Sequence, residues 1–169
     1  MTSFEELKDN LSNLEDFSLK WRFTEPKYNQ LPKNHLVQLK PLNNIGSKFL
    51  WDHIMDIGIH NEDPFDKNIF QNLDYINIAD DNENEIKKWL YKRGLPFDKE
   101  VFISWQPDSA MIVPWKILIK YYNDFYYPGS DDLTIIDESL NWAVLFHHNE
   151  TLYFGSNNSY KPKLENNEI

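Results

Sequence analysis

The residues able to do chemistry at neutral pH are few, and most fall into three short groupings. The first is His147-His148-Asn149-Glu150, whose side chains suit metal ligation or proton transfer. Neighbouring residues of a strand point to opposite faces, so the two imidazoles are expected to diverge, one towards the core and one at the rim. The second is Asp52-His53-x-x-Asp56-x-x-x-His60-x-Glu62-Asp63. His53 and Asp56 share a helical face, and His60 with Asp63 could close a mixed nitrogen–oxygen site suited to zinc or manganese. Its spacing matches no established metal motif, and acidic stretches produce such clusters readily. The third is Asp131-Asp132 after Gly129-Ser130, which reads as a polar turn between a helix and a strand. His35 stands alone and is expected to be structural.

Other chemistry is excluded by composition. The chain has no Cys, which removes thiol nucleophiles, disulfides and thiolate-held zinc or iron–sulfur sites. Its five Gly form no GxGxxG, no GxxxxGK followed by Ser or Thr, and no Gly-x-Ser-x-Gly elbow. A serine triad assembled in space stays open, although nothing local points to one. No catalytic residue, metal site or cofactor is therefore expected.

Charge is the more informative signal. The net charge is −10, from 27 acidic and 17 basic side chains, a balance that argues against nucleic acid as a partner. Between Asp52 and Ile86 stand Asp52, Asp56, Glu62, Asp63, Asp66, Asp74, Asp80, Asp81, Glu83 and Glu85, with Lys67 as the one opposing cation. Nearly the whole surplus lies there. Such a run can be a solvated face, or a docking surface that steers a basic protein into place. The N-terminus lacks the basic-then-apolar pattern of a signal peptide, and no apolar run is long enough to span a bilayer. A soluble cytoplasmic protein without membrane association is expected.

The elements that must position these residues can be read from periodicity. Ser3 and Glu6 have capping-box spacing ahead of Leu7, Leu11 and Leu14, which predicts a helix over about 3–15. Phe17, Leu19, Trp21 and Phe23 alternate with polar residues, which predicts a half-buried strand. The stretch 28–44, with Pro32 and Pro41, reads as extended. Ser47 caps an expected helix over about 47–57, and short helical turns are expected through Asp74. A further helix runs from Asp81 or Asn82 to a stop at Gly94. Val101–Trp105 and Ala110–Val113 predict a hairpin, and Pro114 opens a helix rich in tyrosine. Of those tyrosines, Tyr121, Tyr122, Tyr126 and Tyr127 are partly core, with one or two left as interface anchors. Leu133–Ile136, Asn141–His148 and Thr151–Phe154 predict a meander, its middle strand apolar on both faces. The expected fold is a single α+β domain over 1–155, a mostly antiparallel sheet of about five or six strands with helices packed on it. A polar, frayed tail is expected over 156–169.

One stretch carries a resemblance. Trp115–Gly155, WKILIKYYNDFYYPGSDDLTIIDESLNWAVLFHHNETLYFG, is similar to the end of small bacterial immunity proteins that partner polymorphic toxins, including contact-dependent growth inhibition systems. The shared features are the aromatic helix entering YYPGSDD, the strand NWAVLFHHNE and the closing LYFG. More loosely, the layout from LKWRF through LKPL to FLWDHI resembles an uncharacterised bacterial domain family of similar length. The resemblance implies a cytosolic protein that neutralises a cognate toxin domain, often a nuclease, and it brings no catalytic motif. A basic nuclease is the partner an acidic inhibitor would suit. The other readings are a metal-dependent hydrolase built on the His53–Asp63 grouping, or a regulatory protein with some other partner.

Overall fold

The C-terminal hairpin and meander are the part of the chain whose apolar residues best match the pleat, and they form the centre of the structure. A computed structural model describes residues 3–163. Strand β1 is Lys40–Pro41 and β2 is Asn72–Asn77. Strands β3 (Glu100–Gln106) and β4 (Ser109–Pro114) make the hairpin, with a register shift between Ser104 and Gln106. The meander is β5 (Leu133–Ile136), β6 (Trp142–His147) and β7 (Thr151–Ser156). Together they form one seven-stranded antiparallel sheet in the order β1-β4-β3-β5-β6-β7-β2. The fold is α+β, as expected, with two more edge strands than the hairpin and meander alone supply.

Because side chains alternate across the pleat, the central strands feed two cores. Val101, Ile103, Met111, Val113, Leu133, Ile135, Trp142, Val144 and Phe146 face one side. There they meet α4 (Glu83–Tyr91), α5 (Trp115–Lys120) and α6 (Tyr122–Phe125) through Ile86, Leu90, Trp115, Leu118 and Phe125. The short helix α1 (Trp21–Thr24) adds Phe23 to that side. Phe102, Ala110, Ile112, Ile136, Ala143 and Leu145 face the other side. Leu50 and Ile54 of α3 (Asn44–Ile57) cover them, with Ile59, Phe65 and Phe70 of the loop that follows. The remaining short helix, α2 (Lys33–Leu36), lies between α1 and β1. Among the described residues, no helix is long and apolar enough to cross a membrane.

Five local expectations are corrected. The N-terminal helix is reduced to a 3-10 turn, Glu5–Asp9, because Leu11 leaves the helical path to bridge Leu42. The alternating stretch from Phe17 is a turn followed by α1, with local backbone bonds from Lys20 to Phe17 and from Phe23 to Lys20. In that arrangement Phe17 and Phe23 point inward, so alternation alone did not distinguish it from a strand. Helical turns are expected through Asp74, but Asn72–Asn77 is a strand. Leu73 and Tyr75 lie largely exposed, so the segment lacks the buried periodicity that marks a strand. The segment after Ser156 is docked as far as Lys163: the Tyr160 hydroxyl donates to the Arg93 carbonyl, and the Lys163 N–H donates to that of Gly94 at 2.8 Å. The rest of the expected tail lies outside the described residues. The cap of α3 also shifts, from Ser47 to Asn43, whose side chain accepts the Gly46 N–H at 2.9 Å.

Candidate functional site

The acidic residues fall on consecutive elements that wrap one part of the fold. Asp52 and Asp56 lie on the outer side of α3, and Glu62, Asp63 and Asp66 on the loop that crosses beneath the sheet. Asp74 lies on the edge strand β2, Asp80 and Asp81 on the turn beyond it, and Glu83 and Glu85 on the first turn of α4, against the opposite face. From the loop to α4 the run passes round the β2 edge, whereas Asp52 and Asp56 stand apart from that edge on α3, which packs over β3 and β4. Asp52 pairs with Lys48, Asp74 with Arg93 at 2.8 Å, and Glu83 with Lys87 at 2.6 Å. Asp56, Glu62, Asp66, Asp80, Asp81 and Glu85 have no Lys or Arg within 4.0 Å among the described residues.

The grouping of His53, Asp56, His60 and Asp63 is not assembled. His53 lies between the rings of Phe4 and Phe49, beside Asp52 and Asp56, and burial lowers its pKa. His60 and Asp63 line a separate cleft of about 220 Å³, which contains different partners. Trp51, Ile54, Met55 and Leu145 form its apolar wall, while Ser104, Asp132, Thr134 and His147 supply polar groups.

Gly58 ends α3 in the left-handed region, and buried Ile59 anchors the loop, which aims His60 back at the sheet. The His60 Nδ1–H donates to the Pro64 carbonyl, and Nε2 accepts the Thr134 hydroxyl, both at 2.8 Å. A carbonyl can only accept, so these contacts fix one neutral tautomer. Burial lowers the His60 pKa below its ordinary 6.5, against the opposing pull of Pro64, Asp132 and Asp63. The unfolded chain therefore takes up this proton more readily than the folded one below pH 6.5, and stability falls as pH drops through that value. Thermal melts from about pH 7.5 to about pH 5 should show a shallower loss of Tm in His60→Gln than in the parent. Parallel curves would exclude His60 as a source of the acid sensitivity.

The two adjacent histidines do not diverge. β6 ends at His147 and the chain turns at once, with Glu150 at φ 63°, so His148 is no longer a strand residue. Their rings stack with centroids 4.2 Å apart at 29°. His147 is buried, its Nδ1 accepting the Asn149 N–H at 3.1 Å and its Nε2 lying 3.2 Å from Asp63. The Tyr126 hydroxyl donates to the His147 carbonyl, and burial pushes that phenol up to about 12, so it remains a donor. His148 Nδ1 lies 3.0 Å from each Asp132 oxygen, and its backbone N–H donates to the same carboxylate at 2.8 Å. The immediate Asn149-Glu150 turn was the available signal for this bend. Ser104 and Thr134, small polar residues in otherwise apolar strands, gave no such signal.

The turn before β5 does more than connect. Asp131 takes the buried Arg22 guanidinium at 2.6 Å, and Asp132 takes His148. Tyr122 and Tyr126 are core, whereas Tyr127 stacks on Trp21 at 5.4 Å with exposed Tyr28 alongside. His35 is structural, its Nδ1 sharing a hydrogen bond with the Tyr121 hydroxyl. Comparison of the chain with known protein families, curated proteins and solved structures gives no match.

Proposed function

We propose that this chain is an immunity protein, a cytoplasmic binder rather than a catalyst, which neutralises a basic, nuclease-type toxin domain through its acidic band. The observation that carries this reading is the set of carboxylates from Asp56 to Glu85 that no lysine or arginine offsets. Unpaired carboxylates left in water keep their field available to a partner, whereas internally paired ones do not. The resemblance of Trp115–Gly155 to toxin-immunity partners supports the same reading, and that segment supplies β5, β6 and most of β7, the last of which pairs with the acidic edge strand β2. Encircling an edge rather than forming a plane, the band suits a concave basic groove such as one that holds nucleic acid.

On this reading the neighbouring upstream gene encodes a large secreted protein with a variable C-terminal domain, and co-expression with that domain tests it. Growth should be rescued, and the purified complex should weaken as salt rises. Reversing Glu62, Asp63, Asp80 and Asp81 to lysine should weaken binding at least about tenfold, mainly by slowing association. Absence of rescue refutes immunity. Rescue with salt-independent binding refutes the acidic band as the interface.

A further inference from the structure

We propose that Asp132, His147 and His148 form a binding site for one divalent zinc-like ion at the mouth of the cleft. One carboxylate oxygen and one ring nitrogen from each histidine lie within 4.8 Å of one another. An ion central to three atoms that far apart is about 2.8 Å from each, against the roughly 2.0–2.2 Å of zinc–nitrogen and zinc–oxygen bonds. Each ligand therefore needs to close by less than about 1 Å. One pair is already in place: His148 Nδ1 and Asp132 stand 3.0 Å apart, close to the spacing of two ligands sharing one ion. The ion takes the Nδ1 lone pair of His148, whose single ring proton then sits on Nε2.

The site is built around its least mobile member. His147 is oriented by Asp63 beside its Nε2–H, the carboxylate–histidine support that fixes ligand rings, and the ion takes the Nδ1 lone pair in place of the Asn149 N–H that Nδ1 now accepts. Asp132 and His148 are half-exposed, so both can make the short adjustment. Two imidazoles and a carboxylate suit zinc better than calcium or magnesium, which prefer all-oxygen shells. Three protein ligands also leave a coordination position free. Asp132 and His147 both line the cleft, where the buried Ser104 hydroxyl has no hydrogen-bond partner among the described residues. The cleft thus offers an unused donor to an oxygen ligand carried by the ion.

Calorimetric titration of the metal-free full chain with Zn2+, paralleled by the visible absorption of bound Co2+, tests the site. One equivalent should bind with micromolar or tighter affinity. Asp132→Asn and His148→Ala should each weaken binding at least about tenfold and abolish the Co2+ band. His53→Ala, in the other cleft, should bind like the parent. Both test positions are exposed, and far-UV circular dichroism confirms that the variants are folded. No saturable binding, or parental affinity in His148→Ala and Asp132→Asn, overturns the proposal.

Discussion

Trp142→Ala is expected to cost about 3–5 kcal/mol of folding stability, read as a lower urea midpoint with little change in slope. Trp142 is fully buried at the start of β6, edge-on to Trp115 with centroids 6.1 Å apart and stacked near Phe154 at 6.4 Å. Its removal leaves a cavity between the sheet and the α5 layer, lined by rings too large to collapse into it. Total stability for a domain of this size is roughly 5–15 kcal/mol, so one substitution takes a large share. The indole N–H groups of Trp142 and Trp115 are both buried without an acceptor among the described residues. Trp142→Phe, which removes volume and also one unsatisfied donor, should therefore cost less than the alanine variant. An alanine variant within about 1 kcal/mol of the parent would refute this account of the core.

Arg22→Ala should cost about as much, roughly 3–5 kcal/mol, for an electrostatic reason. Arg22 is 5% exposed and grips Asp131 with two nitrogens, at 2.6 and 3.3 Å, while Nη1 also donates to the Phe125 carbonyl at 3.3 Å. The guanidinium lies 4.4 Å from the Tyr127 ring centre, and Asp131 also accepts the Tyr127 N–H at 2.9 Å. Truncating Arg22 leaves a largely buried carboxylate without its cation. Arg22→Met with Asp131→Leu should recover part of the loss, since a buried pair often does little better than apolar residues of similar volume. Denaturation of the two single variants and the double variant measures the coupling. Additive losses would mean that the pair does not act as a unit. Because Asp131 precedes Asp132, losing the bridge should also loosen the turn that carries a proposed metal ligand.

The parts of the fold legible in the sequence are those where burial and period agree. β3 to β7 bury one or both faces, and α4 shows its cap region, apolar stripe and Gly94 stop in linear order. Leu73 and Tyr75 show why β2 was not: an edge strand with both faces largely in water has no pattern to read. The candidate site was legible only as residue types. His60 meets Thr134, and Asp63 meets His147, across sequence separations that no local spacing encodes. His147 and His148 were adjacent from the outset, yet their relation turned on a single bend at the strand end. Arg22 looked like one polar residue in an alternating run, and only its distant partner Asp131 explains its burial.

The order of strands across the sheet has a consequence for synthesis. Lys40 pairs with Ile112, and Asn72 pairs with Ser156, so each edge strand precedes the strand it pairs with by a long interval of chain. The hairpin and meander pair locally and emerge from the ribosome after both edge strands. Closing the long loops before their contacts form is entropically costly, so the early segments gain little from folding alone. Leu50, Ile54 and Phe65 consequently emerge well before the strands that cover them, and the nascent chain is exposed to aggregation and proteolysis over that interval.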